Sequence, residues 1–388
     1  MAPGLAFGWS EHHRVTRQAL GTLPGIEGRT VVVTPFQAVI DHAPALLAEL
    51  GYDPAQGFNE TIRIRKDFKY GWQAGEREGE PIAAIDVLAT YSDEPDWKMD
   101  TELFDEDQYP ELWKDEYAMM GGRKGTPSQA FRHMYWTGIR LAHPLSSLHL
   151  PPSTIFRSMG EAHERAKVFV TLSRAAAKIP GLEYWSMRFL SNALHYLEDV
   201  AQPFHASQIP SPKFLSMPFF DRERGSGGKD LVKQVTHIVS YYHFAYEGYV
   251  AYAMRSAADG TGGPETHAIV DALVEAPRDR AMKGIDYADR DPSRLIREMG
   301  KKSVAKAGKA GGASYKFFPE IAGKFADLDA QAQQDDAWWA EAVARGQADS
   351  PTKRDYFETV TTMFSMLGES VRRIVGAELP TRQALSAR

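Results

Sequence analysis

The sequence predicts a mostly α-helical protein, and three observations carry that reading. Apolar residues recur at helical spacing through the long segments. Alternating strand patterns are scarce, Gly28–Thr34 (GRTVVVT) being the one β-rich run. The periodic segments begin and end at residues that start and stop helices. Of 388 residues, 43% are apolar and 25% charged, which is a globular composition and excludes a disordered or collagenous chain.

Taken in order, residues 11–20 and 36–50 read as helices, the second ending at Gly51. Between them GRTVVVT is either a strand or an extended connector. Residues 153–179 follow Pro151-Pro152 and read as a long helix with Ser153 or Thr154 as N-cap. Residues 182–201 form the next, closed by Pro203, and 229–257 another. Asp355–Val375 is the last. Residues 257–264 and 307–313 (AGKAGGA) read as linkers, the latter a flexible turn without P-loop spacing. The expected division is a domain over 1–258 and a helical extension over 259–388, packed on the same core or apart from it.

The 45 Lys and Arg against 51 Asp and Glu leave a formal charge of −6, which argues against broad duplex DNA binding. The basic stretch Arg297–Lys309 suits an anionic surface or simply a core-completing helix. No run approaches a membrane span. Cysteine is absent, so disulfides, thiolate metal sites and a cysteine nucleophile are excluded together. A transition-metal site must then use His, Asp, Glu and main-chain atoms, and twelve histidines keep that route open. The N-terminus, MAPGLAFGW, lacks the basic and apolar regions of an intact Sec signal.

The chemistry concentrates in HYLEDVAQPFHAS, residues 195–207. His195 and Asp199 stand four apart, on one helix face with a rise of about 6 Å, and His205 returns just after Pro203. His243 and Glu247 repeat the same spacing on the next long helix. Each pair alone reads equally as a side-chain hydrogen bond or a solvated face. Two such pairs and a third His favour a metal site between facing helices.

The stretch His195 to His205 closely resembles the H-Y-x-x-D-x-x-x-P-x-H signature of the zinc-dependent phospholipase C / P1 nuclease superfamily. The later His-x-x-x-Glu of that family is similar to His243–Glu247. Its early Trp and H-x-x-[IV]-x-x-x-A resemble Trp9 and His12 to Ala19, with His12 and not His13 as ligand. Its Pro-Asp resembles Pro95-Asp96, with Asp93 as a rival, and its next His resembles His133. The matches keep the family's order from residue 9 to 247. Glu198, where many phospholipases carry Gly or Thr, is expected to point away from the metal.

The resemblance implies a multi-helix fold with a metal cluster in a cleft between helices, and two to three zinc ions. One ion would be held by His205, His243 and Glu247. A second would be held by His133, His195 and Asp199, with Asp96 bridging or activating water as the catalytic group. A third would use His12 and Trp9. Because Trp9 is internal, it offers an amide nitrogen unless residues 1–8 are removed; otherwise it is a carbonyl ligand or a core aromatic. The assignment of each carboxylate to its ion stays open.

The implied activity is a secreted, bacterial-type phospholipase C that cleaves the glycerol-side phosphodiester of a phospholipid at a membrane surface. Water activated at zinc would release diacylglycerol and a phosphorylated headgroup. Phosphatidylcholine is favoured, with Trp97, Tyr135 and Trp136 as headgroup-binding aromatics. The alternatives are a P1-like single-strand nuclease or nucleotidase and a non-catalytic, metal-stabilised helical protein. Three features favour lipid: no cysteine, where secreted nucleases of this type commonly carry disulfides; no readable basic–aromatic groove; and Phe214, Leu215, Met217, Phe219 and Phe220 in the insert after His205, which would either dip into a lipid surface or pack on its own core. His149, His163 and His267 read as structural or solvated, and His237 falls on another helix face from His243. The eleven acidic residues between Asp93 and Glu116, against two lysines, read as a solvated acidic loop.

Overall fold

The computed structural model describes residues 11–59, 76–97, 160–207, 227–275, 293–317 and 351–379, with shorter stretches at 100, 103–105, 107–109, 132–136, 139–140, 149–150, 209 and 291. These residues are mostly helical. In chain order the elements are α1 (His12–Leu20), β1 (Thr30–Val32), α2 (Phe36–Asp41), α3 (Ala43–Leu50), β2 (Pro81–Ala83), α4 (Ala84–Tyr91) and a 3-10 turn (Glu94–Trp97). After β3 (Ile139–Arg140) and β4 (His149–Leu150) come α5 (Ala162–Ala176), α6 (Glu183–Ala201), the one-turn α7 (Pro203–Ala206) and α8 (Gly227–Ala258). The described chain closes with α9 (Pro264–Ala272), α10 (Ser293–Phe317) and α11 (Pro351–Glu378). No described helix is long and apolar enough to cross a membrane.

Helix α6 is the axis of the fold. Every residue from Tyr184 to Ala201 is buried, because α5 lies along it and α4, α10, α11 and α1 close the remaining sides. A helix surrounded in this way exposes no face to water, so each polar side chain on it needs a partner inside the protein. Leu190, Leu194, Leu197 and Val200 are fully buried in the core, each stabilising by about 1.5–3 kcal/mol. The same core takes in Leu295, Ile296 and Met299 of α10 and Val360, Phe364 and Leu367 of α11, all beyond residue 258. Arg372 of α11 donates to the Ala19 carbonyl at 3.1 Å and to the Leu273 carbonyl at 2.6 Å. It thereby caps chain ends at α1 and just past α9 that would otherwise leave buried acceptors unpaired.

Several elements differ from the sequence expectation. The helix expected over 36–50 is two, broken at His42, because Pro44 has no N–H and its ring would meet the carbonyl of residue 40. GRTVVVT contains a true strand: β1 pairs antiparallel with β2, Val31 opposite Ile82. Periodicity missed β2 because three residues are too few to show a period. Among the described residues of the helix expected over 153–179, the helical part is Ala162–Ala176, and Gly160 before it adopts φ +102°, outside helical space; the N-cap candidates Ser153 and Thr154 lie outside the described residues. The last helix is longer than expected at both ends.

The turn expected over 307–313 is the interior of α10. Its glycines serve close packing. A Cβ on Gly311 would stand 2.3 Å from Ile209 Cγ2, and one on Gly300 would stand 2.7 Å from Tyr135 Cδ1. Residues chosen for contact, not for bending, made the segment read as a linker. Along the basic stretch, Arg297 pairs with Asp291 at 2.7 Å, Lys301 with Glu298 at 2.5 Å and Lys309 with Glu358 at 2.9 Å.

Candidate metal centre

Eight of the nominated ligands lie within a few ångströms of one another, brought there by five pieces of chain. Helix α6 supplies His195 and Asp199 from one face. Gln202 then leaves the helix in an extended conformation, and its side chain accepts from the Phe204 N–H, nucleating α7 behind Pro203. This sharp re-entry turns His205 back toward α6. Helix α8 brings His243 and Glu247, and α1 brings His12. Asp96 comes from the 3-10 turn and His133 from the short described segment 132–136.

Three donor groups form. In the first, His205 Nε2 and His243 Nε2 lie 2.8 Å apart, and Glu247 Oε1 stands 3.2 and 2.6 Å from them. In the second, His133 Nδ1 and His195 Nε2 are 2.9 Å apart, with Asp96 Oδ1 at 3.6 and 3.9 Å. The third joins His12, His195 and Asp199, with His12 Nε2 at 3.7 Å from Asp199 Oδ1. Asp199 sits between them all: its Oδ2 is 3.0 Å from His133 Nδ1 and 3.2 Å from His195 Nε2, and its Oδ1 is 3.4 Å from His205 Nδ1. His12, His133, His195, Asp199 and His205 are fully buried. Asp96 is the most accessible, its side chain 9% exposed.

The donor set fits a divalent cation. Ring orientations are held from outside: His195 Nδ1 donates to the Ser92 carbonyl at 2.7 Å, and His205 Nδ1 to the His133 carbonyl at 3.1 Å. Each Nε2 lone pair is thereby turned inward. Burial holds the His195 imidazolium down to about 4 against the pull of Glu198, and burial with neighbouring His195 holds His133 well below the usual range. Both rings are therefore neutral bases near pH 7. Burial pushes the Asp199 carboxyl up to about 7, while for Glu247 His243 and His205 outweigh burial and hold it at about 2. His12 Nε2, both Asp199 oxygens and Glu247 Oε2 have no hydrogen-bond partner among the described residues. Buried, unsatisfied carboxylates and imidazole lone pairs facing one centre call for positive charge there. Imidazole and carboxylate without thiolate suit zinc and its neighbours.

Two buried ion pairs and a carboxylate–histidine contact frame the centre, and at Asp93, Glu94 and Asp100 they correct the expectation of a solvated acidic loop. Glu94 accepts from Arg188 of α6 and from Asn192. Asp100 accepts from Arg132 Nε at 2.7 Å and from the Tyr196 hydroxyl at 2.7 Å. Asp93 accepts from the backbone N–H of His13 at 3.1 Å and lies 2.8 Å from its ring Nδ1. Asp93, Glu94 and Asp100 are buried, so each needs a partner, and each partner fixes a segment that carries a ligand. Composition counted the charges but not the cations that other segments bring to them.

Of the remaining nominated residues, Trp9 and the apolar cluster Phe214 to Phe220 lie outside the described residues. Trp97 follows Asp96 directly and is half-buried. Trp136 donates its indole N–H to the Phe204 carbonyl at 2.8 Å. Tyr135 donates its backbone N–H to His205, but its ring lies 4.6 Å from His163, toward α5 and α10. Two residues were missed. Gln202 Nε2 donates to Glu247 Oε1 at 2.9 Å. Glu198, set aside as facing away, is fully buried against the outer nitrogen of His12. Its signal was a carboxylate inside a helix with no solvent face.

Comparison with protein-family models, curated proteins and solved structures returns no match.

Proposed function

We propose that this chain is a zinc-dependent phosphodiester hydrolase with the multi-helix architecture of the phospholipase C / P1 nuclease superfamily. Its substrate is a phospholipid, phosphatidylcholine favoured. The observation that carries the proposal is the sharing of donors. His195 belongs to two of three groups, and Asp199 lies within 3.7 Å of ring nitrogens on His12, His133, His195 and His205.

Two or three zinc ions held by His12, Asp96, His133, His195, Asp199, His205, His243 and Glu247 would lower the pKa of water toward neutrality and hold the oxygens of an in-line displacement. The protein's part is orientation. Asp96 is the carboxylate nearest solvent, so it is placed to accept a hydrogen bond from the attacking water and take its proton. His195 and His205 keep their rings aimed inward through carbonyls that need not move during turnover. Trp97, beside Asp96, offers an aromatic face to a cationic headgroup. The lipid assignment is supported by the net charge of −6, which disfavours a polyanionic strand, and by the apolar segment after His205.

The test is direct. Purified full-length protein, with zinc measured by elemental analysis, is assayed on phosphatidylcholine vesicles and on single-stranded DNA. Expected is release of the phosphorylated headgroup, abolished by chelator and lowered about 100-fold or more by Asp96→Asn. Turnover of DNA alone would move the assignment to the nuclease branch. Zinc-loaded, folded protein that hydrolyses neither, yet melts lower on chelation, would make the metal structural.

A further inference from the structure

We infer that Glu198 is a positioning residue which, held by Thr16, sets the His12 ring with Nδ1 protonated outward and Nε2 open to the centre. The inference rests on the metal-centre reading above and deepens it. Glu198 lies between two ligand positions of α6, three residues after His195 and one before Asp199, yet its carboxylate turns to a different face. There Oε2 lies 2.7 Å from His12 Nδ1, and Oε1 accepts from the Thr16 hydroxyl at 2.5 Å. All three side chains are fully buried. His12 and Thr16 stand four apart on α1, so one helix face presents both the imidazole and the hydroxyl to the carboxylate.

On the inner side, His12 Nε2 is buried without a hydrogen-bond partner among the described residues. Its nearest carboxylates are Asp199 Oδ1 at 3.7 Å and Asp96 Oδ2 at 3.9 Å, too far for hydrogen bonds. Two ligands on one tetrahedral zinc stand roughly 3.3 Å apart, so these separations suit a shared cation better than a proton. An imidazole whose outer N–H is engaged by a carboxylate is a stronger ligand through its other nitrogen, and losing such a partner costs about 10–100-fold in metal affinity. Glu198 also adds a buried negative charge on the side of the centre that His12 serves.

The experiment is a zinc titration of the full chain against a competing chelator, for wild type, Glu198→Gln and Thr16→Val, with melting curves in excess chelator to show that each variant folds. Glu198→Gln is expected to weaken one zinc equivalent about 10–100-fold and leave the others unchanged; Thr16→Val should weaken the same equivalent by less. Wild-type protein that binds no divalent ion would sink the metal-centre reading itself. Wild type that binds while Glu198→Gln matches it at every equivalent would sink only the role of Glu198. Should Glu198→Gln fail to fold, the wild-type ring decides. Long-range proton–nitrogen spectra of histidine-labelled, zinc-loaded protein should show His12 protonated at Nδ1 and not at Nε2. A His12 metallated through Nδ1, or protonated on both nitrogens, overturns the inference.

Discussion

Replacing Glu94 by Gln removes one negative charge from a buried pair and leaves Arg188 charged in the core. Arg188 is 2% exposed and Glu94 4%. The guanidinium donates to both Glu94 oxygens through Nε at 3.1 Å and reaches Glu94 again through Nη2. After the change it keeps one neutral amide oxygen at position 94, the Tyr184 hydroxyl at 3.2 Å and the faces of the Tyr91 and Trp185 rings at 3.7 and 4.8 Å, but no compensating negative charge. Burial works against the Arg188 cation, but Glu94 more than offsets it and holds its pKa well above the usual range. Breaking one side of such a pair costs about 3–5 kcal/mol. Unfolding entropy near 2 cal/mol/K per residue gives about 0.8 kcal/mol/K for a chain of this length, so Tm should fall by about 4–6 °C in a calorimetric scan. The companion variant Glu94→Leu with Arg188→Met removes both charges and should recover most of that loss. It should not recover turnover, because Glu94 sits in the 3-10 turn that presents Asp96. A Glu94→Gln protein melting within 1 °C of wild type (about 0.8 kcal/mol on the same scale), or a double variant melting below the single one, would refute this reasoning.

Gly160→Ala should destabilise by more than the roughly 1–3 kcal/mol expected of a strained backbone alone. The residue has φ +102°, and a Cβ there would fall 1.8 Å from the Met134 carbonyl oxygen; urea midpoints measure the loss, and zinc affinity should drop with it because Met134 follows His133. Asp100 provides the acid dependence. Burial alone would raise its pKa, but Arg132 and Arg165 outweigh burial and hold it below the ordinary carboxylate value. Its contribution is therefore complete above the unfolded pKa of about 4 and lost as pH falls through the folded value. The stability gap between wild type and Asp100→Asn should shrink from pH 5 to pH 2, and a gap constant across that window would count against the assignment.

Much of the helical framework was legible because helix geometry is local. The segment 182–201 and the structure's Glu183–Ala201 differ by one residue, since a nineteen-residue apolar pattern closed by proline leaves little freedom. Misreadings arose where a residue served a distant partner. Gly311 read as part of a linker until α10 was seen packed on Ile209. Asp93, Glu94 and Asp100 read as solvated until His13, Arg188 and Arg132 were brought to them from other segments.

The same division runs through the candidate site. Sequence alone determined the donors within one or two turns of chain: His195 with Asp199, His205 after Pro203, His243 with Glu247. The 3.6-residue repeat places such pairs without reference to anything else. Tertiary structure alone decided that His12, Asp96 and His133 meet them, that Asp199 lies at the middle, and that Glu198 serves the outer nitrogen of His12. The meeting of Glu198 with His12 alone joins positions 186 residues apart. These meetings depend on how α1 and α4 pack against α6 and how α10 packs against both α6 and α8, and spacing along the chain carries no record of which polar groups that packing encloses.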